Sequence, residues 1–252
     1  MFTGCGTALV TPFKQDQSLD ESTLRALVRR QIEAGINFLV PCGTTGESPT
    51  LTRAEHLRVV EIVLEEAKGV VPVLAGAGGY NTAEVIELAR ELEVMGADGI
   101  LSVTPYYNKP TQEGLYQHYR AIASSVNLPI IVYSVQGRTG VNVEPATLVR
   151  LSEIDNIVGV KEASGNIAQI ASVIHRVPER FLVLSGDDAI TLPVIALGGR
   201  GVISVVSNQI PGEMVKLVLA CLEGDLTVAR SLQRKYLPLM EVNFIESNPI
   251  PV

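Results

Sequence analysis

The sequence predicts a (β/α)8 barrel. Short β-branched runs alternate with longer amphipathic ones from end to end, the alternation repeats eight times, and 252 residues is the length of a single barrel of this kind. A doubly wound open sheet is the competing topology, and eight regular repeats favour closure.

The predicted strands are Gly6–Val10, Phe38–Pro41, Val71–Ala75, Gly99–Ser102, Ile130–Tyr133, Ile157–Val160, Leu182–Ser185 and Val202–Val205. Each is short, β-branched and bounded by turn residues. The helices between them are predicted at Asp20–Ala34, Arg53–Ala67, Thr82–Met95, Gln112–Val126, Glu144–Leu151, Asn166–Val177, Asp188–Leu197 and Pro211–Leu222. Ser18 or Asp20 suits the first N-cap, Thr52 with Glu55 reads as a capping box, and Pro211 fits a first helical turn. Gly35, Gly69 and Gly96 fall where a left-handed residue closes a helix. The barrel is expected over residues 1–224. Residues 225–252 are expected to form a partial C-terminal helical segment, with a helix near Leu226–Glu241. The ending Asn248-Pro249-Ile250-Pro251-Val252 suggests a chain cut before its last element.

Composition narrows the function. Twenty Lys and Arg stand against 27 Asp and Glu, a formal charge of −7, which argues against a nucleic-acid grip. A hydrophobic share of 46% supports a large core. No apolar run is long enough for a membrane span and Met1 to Phe13 lacks the pattern of a secretory signal, so the cytoplasm is the expected compartment. Three scattered cysteines and three scattered histidines give no disulfide framework and no metal-ligand spacing. Neither Gly4-Cys5-Gly6 nor Gly76-Ala77-Gly78-Gly79 meets the dinucleotide fingerprint, so no nucleotide cofactor is implied, and metal catalysis has no support in the sequence.

Barrel enzymes carry their chemistry at the C-terminal strand ends. Lys161 follows Ile157-Val158-Gly159-Val160, where an apolar mouth favours an uncharged, nucleophilic amine ready for a Schiff base. The position also suits a lysine paired with Glu162. Tyr133 ends the preceding strand, so its phenol can shuttle protons beside Lys161 or serve as a rim aromatic. The loop Cys42-Gly43-Thr44-Thr45-Gly46-Glu47-Ser48 offers amides to a carboxylate, or is simply a turn. Tyr106 and Tyr107 lie after the fourth strand. Arg138 presents a fork for a carboxylate just beyond Tyr133, or lies on the surface. A phosphate cradle at Ser185-Gly186-Asp187-Asp188 is disfavoured by its two carboxylates.

Taken together these residues resemble the dihydrodipicolinate synthase and N-acetylneuraminate lyase class of pyruvate-dependent aldolases. The resemblance runs over essentially the whole chain. It is carried by Thr11-Pro12-Phe13, Gly43-Thr44-Thr45-Gly46-Glu47, Tyr107, Tyr133, Gly137-Arg138-Thr139-Gly140, Val160-Lys161-Glu162 and Asn248-Pro249-Ile250-Pro251-Val252, in family order. It implies a pyruvate Schiff base on Lys161 and a proton relay of Tyr133, Thr44 and Tyr107, with Tyr107 crossing a dimer interface. It also implies substrate contacts from Thr45, Arg138, Gly186 and Ile203, and that no metal or organic cofactor is needed.

Tyr107 with Arg138 resembles the synthase branch, which implies condensation of pyruvate with aspartate semialdehyde to hydroxytetrahydrodipicolinate, a step toward lysine. A homodimer or homotetramer is implied. Ser48, His56, Tyr80, Glu84 and Tyr106 match an allosteric lysine pocket, although Tyr80 replaces a smaller amide residue and His56 also suits an ordinary surface position. Ser134 and Gln136 stand where the family has an amide and a proline, which bears on the placement of Arg138. The alternatives are a sister aldolase acting on a sugar acid or another 2-oxo acid, and a barrel that binds pyruvate or lysine without turnover.

Overall fold

The computed structural model describes residues 1–252. Eight parallel strands, β1 (Gly4–Ala8), β2 (Phe38–Val40), β3 (Leu74–Gly76), β4 (Gly99–Val103), β5 (Ile130–Ser134), β6 (Ile157–Glu162), β7 (Leu182–Ser185) and β8 (Gly201–Ser204), pair in the order β2-β1-β8-β7-β6-β5-β4-β3. The last gap closes through a parallel bridge between Leu39 and Val73 and a bond from the Gly76 N–H to the Pro41 carbonyl, 2.9 Å. The sheet is therefore a closed barrel.

The helices are α1 (Glu21–Glu33), α2 (Arg53–Ala67), α3 (Thr82–Met95), α4 (Gln112–Ala123), α5 (Gln136–Thr139), α6 (Pro145–Leu151), α7 (Ile167–Arg176), α8 (Thr191–Ala196), α9 (Pro211–Leu222) and α10 (Leu226–Val242). Asp20, not Ser18, caps α1 by accepting from the Thr23 N–H. Thr52 and Glu55 form the complete capping box of α2, while Gly35, Gly69 and Gly96 all take left-handed φ.

Where boundaries moved, side chains moved them. β1 stops at Ala8 because the Val10 N–H turns to the Asn208 side chain, 3.2 Å. β3 starts at Leu74 rather than Val71, since Pro72 has no N–H to give a ladder. α4 ends at Ala123 rather than Val126, where the Ser124 and Ser125 hydroxyls take the Arg120 and Ile122 carbonyls. The single helix predicted over Asp188–Leu197 is a 3-10 turn, Asp188–Ile190, followed by α8. Asp188 is turned inward there to accept the Val205 and Val206 amides, at 3.0 and 2.9 Å. α5 was absent from the predicted elements, because four residues carry no helical period.

Two apolar layers follow from the alternation of side chains along each strand. Phe2, Phe38, Val40, Leu74, Leu101, Ile131, Tyr133, Leu184 and Ile203 belong to the cluster inside the barrel. The larger cluster lies between barrel and helices and includes Ile100, Ile130, Val132, Val160 and the fully buried Tyr119. α10 packs on this outer layer, with Tyr236 bonded to Glu213 at 2.9 Å and Gln233 to the Ala189 carbonyl at 2.8 Å. Beyond α10 the chain returns to the mouth, where Asn248 is buried. The terminal motif is held there by Asn248, which bonds Thr45 and Arg138.

Candidate active site

Lys161 is paired in register with Tyr133 on β5 and Leu184 on β7. Both neighbours belong to the interior cluster, so Lys161 also points inward. It is 4% exposed, and its Nζ stands 4.1 Å from the centroid of the Tyr133 ring, within cation–π range. The alternative pairing with Glu162 does not occur. Glu162 points the other way along the strand and accepts from Ser164 and Gln169.

Gly186 leaves the room that Lys161 needs. A Cβ there would sit 2.6 Å from the Ala163 Cβ and 3.2 Å from the Lys161 Cε, too close for any side chain to be added without displacement. Ile203 lies fully buried on β8 in the interior cluster.

The loop after β2 is clamped from several sides. Gly76 lets it approach β3, since a Cβ at Gly76 would fall 1.9 Å from the Cys42 carbonyl oxygen. Thr11 donates to the Gly46 carbonyl at 2.7 Å. The amides of Gly46, Glu47 and Ser48 are spent on bonds within the loop, so the donors anticipated there reduce to those of Cys42, Gly43, Thr44 and Thr45. Thr45 is buried, and its hydroxyl accepts from the Asn248 side chain at 2.9 Å. Arg138 sits in the short α5 and donates to the Asn248 carbonyl at 2.7 Å. Asn248 thus ties both anchors together. Its motif was quoted from the sequence without a role, and no local pattern assigns one.

A cavity of about 470 Å3 opens beside these groups and is lined by Thr44, Tyr133 and Arg138. Ser48, His56, Tyr80, Glu84 and Tyr106 line the same cavity. Lys161, Thr45, Gly186 and Ile203 lie outside its lining, with Lys161 reaching it through Tyr133. His56 is 7% exposed, so of its two readings the surface position does not hold. Its Nε2 donates to the Gly76 carbonyl at 2.9 Å, and burial holds its pKa below the usual histidine value. Tyr80 and Tyr106 meet edge to face at 5.4 Å. Burial, with Tyr80 and Glu84 nearby, raises the Tyr106 phenol.

Tyr107 does not join this group. It is 91% exposed and holds a left-handed backbone, φ 68°, at the tip of the loop after β4. Cys5, Cys42 and Cys221 are buried, with burial pushing their thiols up, so none is an activated nucleophile. No helix is long and apolar enough to cross a membrane.

Residues 1–252 match the family described as Dihydrodipicolinate synthetase. The chain belongs to that family. It is 57% identical over 250 residues to a 4-hydroxy-tetrahydrodipicolinate synthase of Koribacter versatilis, covering 99% of this chain and 83% of the relative. A dihydrodipicolinate synthase of Acinetobacter baumannii, solved complexed with pyruvate, is similar at 44% identity and a TM-score of 0.98, over 100% of this chain and 86% of the other. The enzyme of Cyanidioschyzon merolae, solved with lysine bound, is similar at 40% identity and a TM-score of 0.96, over 99% and 86%.

Proposed function

We propose that the protein is a lyase that condenses pyruvate with aspartate semialdehyde to 4-hydroxy-tetrahydrodipicolinate through a Schiff base on Lys161. The observation that carries the site assignment is the buried Lys161 amine on the face of Tyr133, free of any carboxylate partner. The relatives' shared activity carries the reaction.

The Lys161 amine attacks the pyruvate C2 carbonyl, and loss of water from the carbinolamine leaves an imine. Tyr133 and Thr44 would move the protons of these steps. Loss of a C3 proton then gives an enamine. Its C3 forms the new carbon–carbon bond to the aldehyde carbon, whose oxygen takes up a proton. The amino group of the former semialdehyde next displaces Lys161 from C2, which closes the ring and frees the enzyme. Thr45 and the Thr44 and Thr45 amides would hold the pyruvate carboxylate, with Gly186 and Ile203 shaping its seat, and the Arg138 fork would hold the carboxylate of the aldehyde substrate. Tyr107, exposed on this chain, would complete the relay in a partner's site within a dimer or a tetramer.

Condensation assays with several aldehydes test the reaction. Product from sugar aldehydes but none from aspartate semialdehyde would reject it in favour of a sister aldolase.

The cavity supports a second ligand. Ser48, His56, Glu84 and Tyr106 give it a polar end with one carboxylate, suited to the ammonium groups of lysine, and a relative has been solved with lysine bound. Calorimetry with millimolar lysine is expected to show saturable heat; no heat would remove this reading.

A further inference from the structure

The segment between α5 and α6, residues 140–144, has no regular secondary structure, yet it begins two residues after Arg138, at the end of the helix that carries it. Side chains hold it in place. The Val143 N–H donates to the Ser134 hydroxyl at 3.2 Å, the Gln112 Nε2 donates to the Asn142 carbonyl at 2.8 Å, and the Gln112 Oε1 accepts from the Glu144 N–H at 3.1 Å. The Asn142 side chain is taken by Gln169 in a reciprocal amide pair. Asn142 Nδ2 donates to Gln169 Oε1 at 2.8 Å, and Gln169 Nε2 donates to Asn142 Oδ1 at 3.0 Å.

The second hydrogen of Gln169 Nε2 goes to Glu162 Oε1, 2.7 Å away. Glu162 is fully buried, makes no ion pair, and is stabilised by three donors: Gln169, the Ser164 N–H at 3.1 Å and the Ser164 hydroxyl at 3.0 Å. A buried carboxylate without a cation depends on such donors. Glu162 is the neighbour of Lys161 and is in register with Ser134 on β5, one residue beyond Tyr133. Every amide hydrogen and the carbonyl of the Gln169 side chain is therefore used to join the end of the nucleophile's strand to the segment behind Arg138.

We propose that Gln169 is a positioning residue for addition to the aldehyde substrate, coupling the Lys161 strand end to the Arg138 segment through Glu162 and Asn142. The proposal rests on the reading of Lys161 and Arg138 given above. Removing the Gln169 amide leaves Glu162 Oε1 and both polar atoms of Asn142 without their partner, and the Arg138 segment without its tie to β6.

The test compares the wild type with Gln169→Ala, Asn142→Ala and the double variant. Wild-type borohydride trapping of pyruvate and wild-type condensation come first. Gln169→Ala is expected to raise KM for aspartate semialdehyde about tenfold, or to lower kcat to a similar degree, as misplacement at a distance does. KM for pyruvate is expected to move less than about twofold, and the double variant to be no worse than the worse single one, because both act through one link. An unchanged aldehyde KM and kcat, an equal rise in both KM values, or additive losses in the double variant would overturn the proposal. Failure of the wild type to trap pyruvate would instead sink the functional reading. The coupling would then be judged by hydrogen exchange, where Gln169→Ala should speed exchange at both Val143 and Ser164, and unchanged rates would refute it.

Discussion

The Lys161 amine stands 4.1 Å from the centre of the Tyr133 ring, the two residues being paired in register across β5 and β6. The contact follows from topology. Neighbouring parallel strands bring registered residues to the same face, so a nucleophile and a phenol at matching strand ends must share the barrel mouth. What the protein adds is space and exclusion of water. Gly186 frees the volume beside the lysine stem, and burial removes the amine from bulk solvent.

That space is testable. Gly186→Ala puts a methyl within 3.2 Å of the Lys161 Cε and 2.6 Å of the Ala163 Cβ. We expect a loss of activity of about 100-fold from displacement of the amine, with a stability cost of about 1–3 kcal/mol for overpacking. Rates of pyruvate trapping and denaturant midpoints check both parts. Wild-type trapping rates in a folded variant would show that Gly186 is not needed for the lysine.

Asn248 meets Thr45 and Arg138 through different groups. Its side chain bonds Thr45, while only its backbone carbonyl serves Arg138. Asn248→Ala should therefore weaken pyruvate binding and leave the aldehyde side nearly intact. Loss of one neutral bond of about 1 kcal/mol corresponds to about a fivefold rise in pyruvate KM. Steady-state kinetics with each substrate varied in turn would show it; a rise confined to the aldehyde KM would contradict the assignment of Thr45.

The buried histidine His118 sets an acid limit on stability. Desolvation lowers its pKa from 6.5 to about 4, and its Nδ1 pairs with the Thr82 hydroxyl at 2.8 Å. Because the folded value is the lower one, the unfolded chain binds more protons between these pH values. The contribution is complete above about pH 6.5 and is lost as pH falls toward 4, reaching about 3 kcal/mol. Denaturant unfolding at pH 7 and pH 4.5 should show a larger fall for the wild type than for His118→Gln. Equal falls would mean that His118 titrates normally in the fold.

Tyr107 supplies a prediction about assembly. Tyr107 is 91% exposed and lies outside the cavity lining of its own chain, so Tyr107→Phe should reduce turnover only if a partner copy receives it. Sedimentation is expected to give a dimer or larger species. A monomer with full activity would remove Tyr107 from the relay.

The barrel was legible because its strands are short and β-branched and its helices long and periodic; Arg53–Ala67, Thr82–Met95 and Pro211–Leu222 fall where the pattern puts them. That Lys161 and Tyr133 share the barrel mouth was legible because both end neighbouring strands. Asn248 was less so. Its bond to Thr45 spans 203 positions along the chain, and no local period records such a contact. Gln169 and Asn142 were invisible for a related reason, since a reciprocal amide pair looks in sequence like two ordinary polar surface residues. The burial of His56 was not legible, because helix periodicity gives the face a residue occupies and not what covers it, and here the loop after β2 and the end of β3 cover that face.

The most direct test of the central claim is borohydride reduction in the presence of pyruvate, read by intact mass and peptide mapping. The account predicts one pyruvate-derived adduct per chain, on Lys161 alone, and none in Lys161→Ala. A folded wild-type protein that acquires no adduct, or acquires it on another lysine, would contradict it.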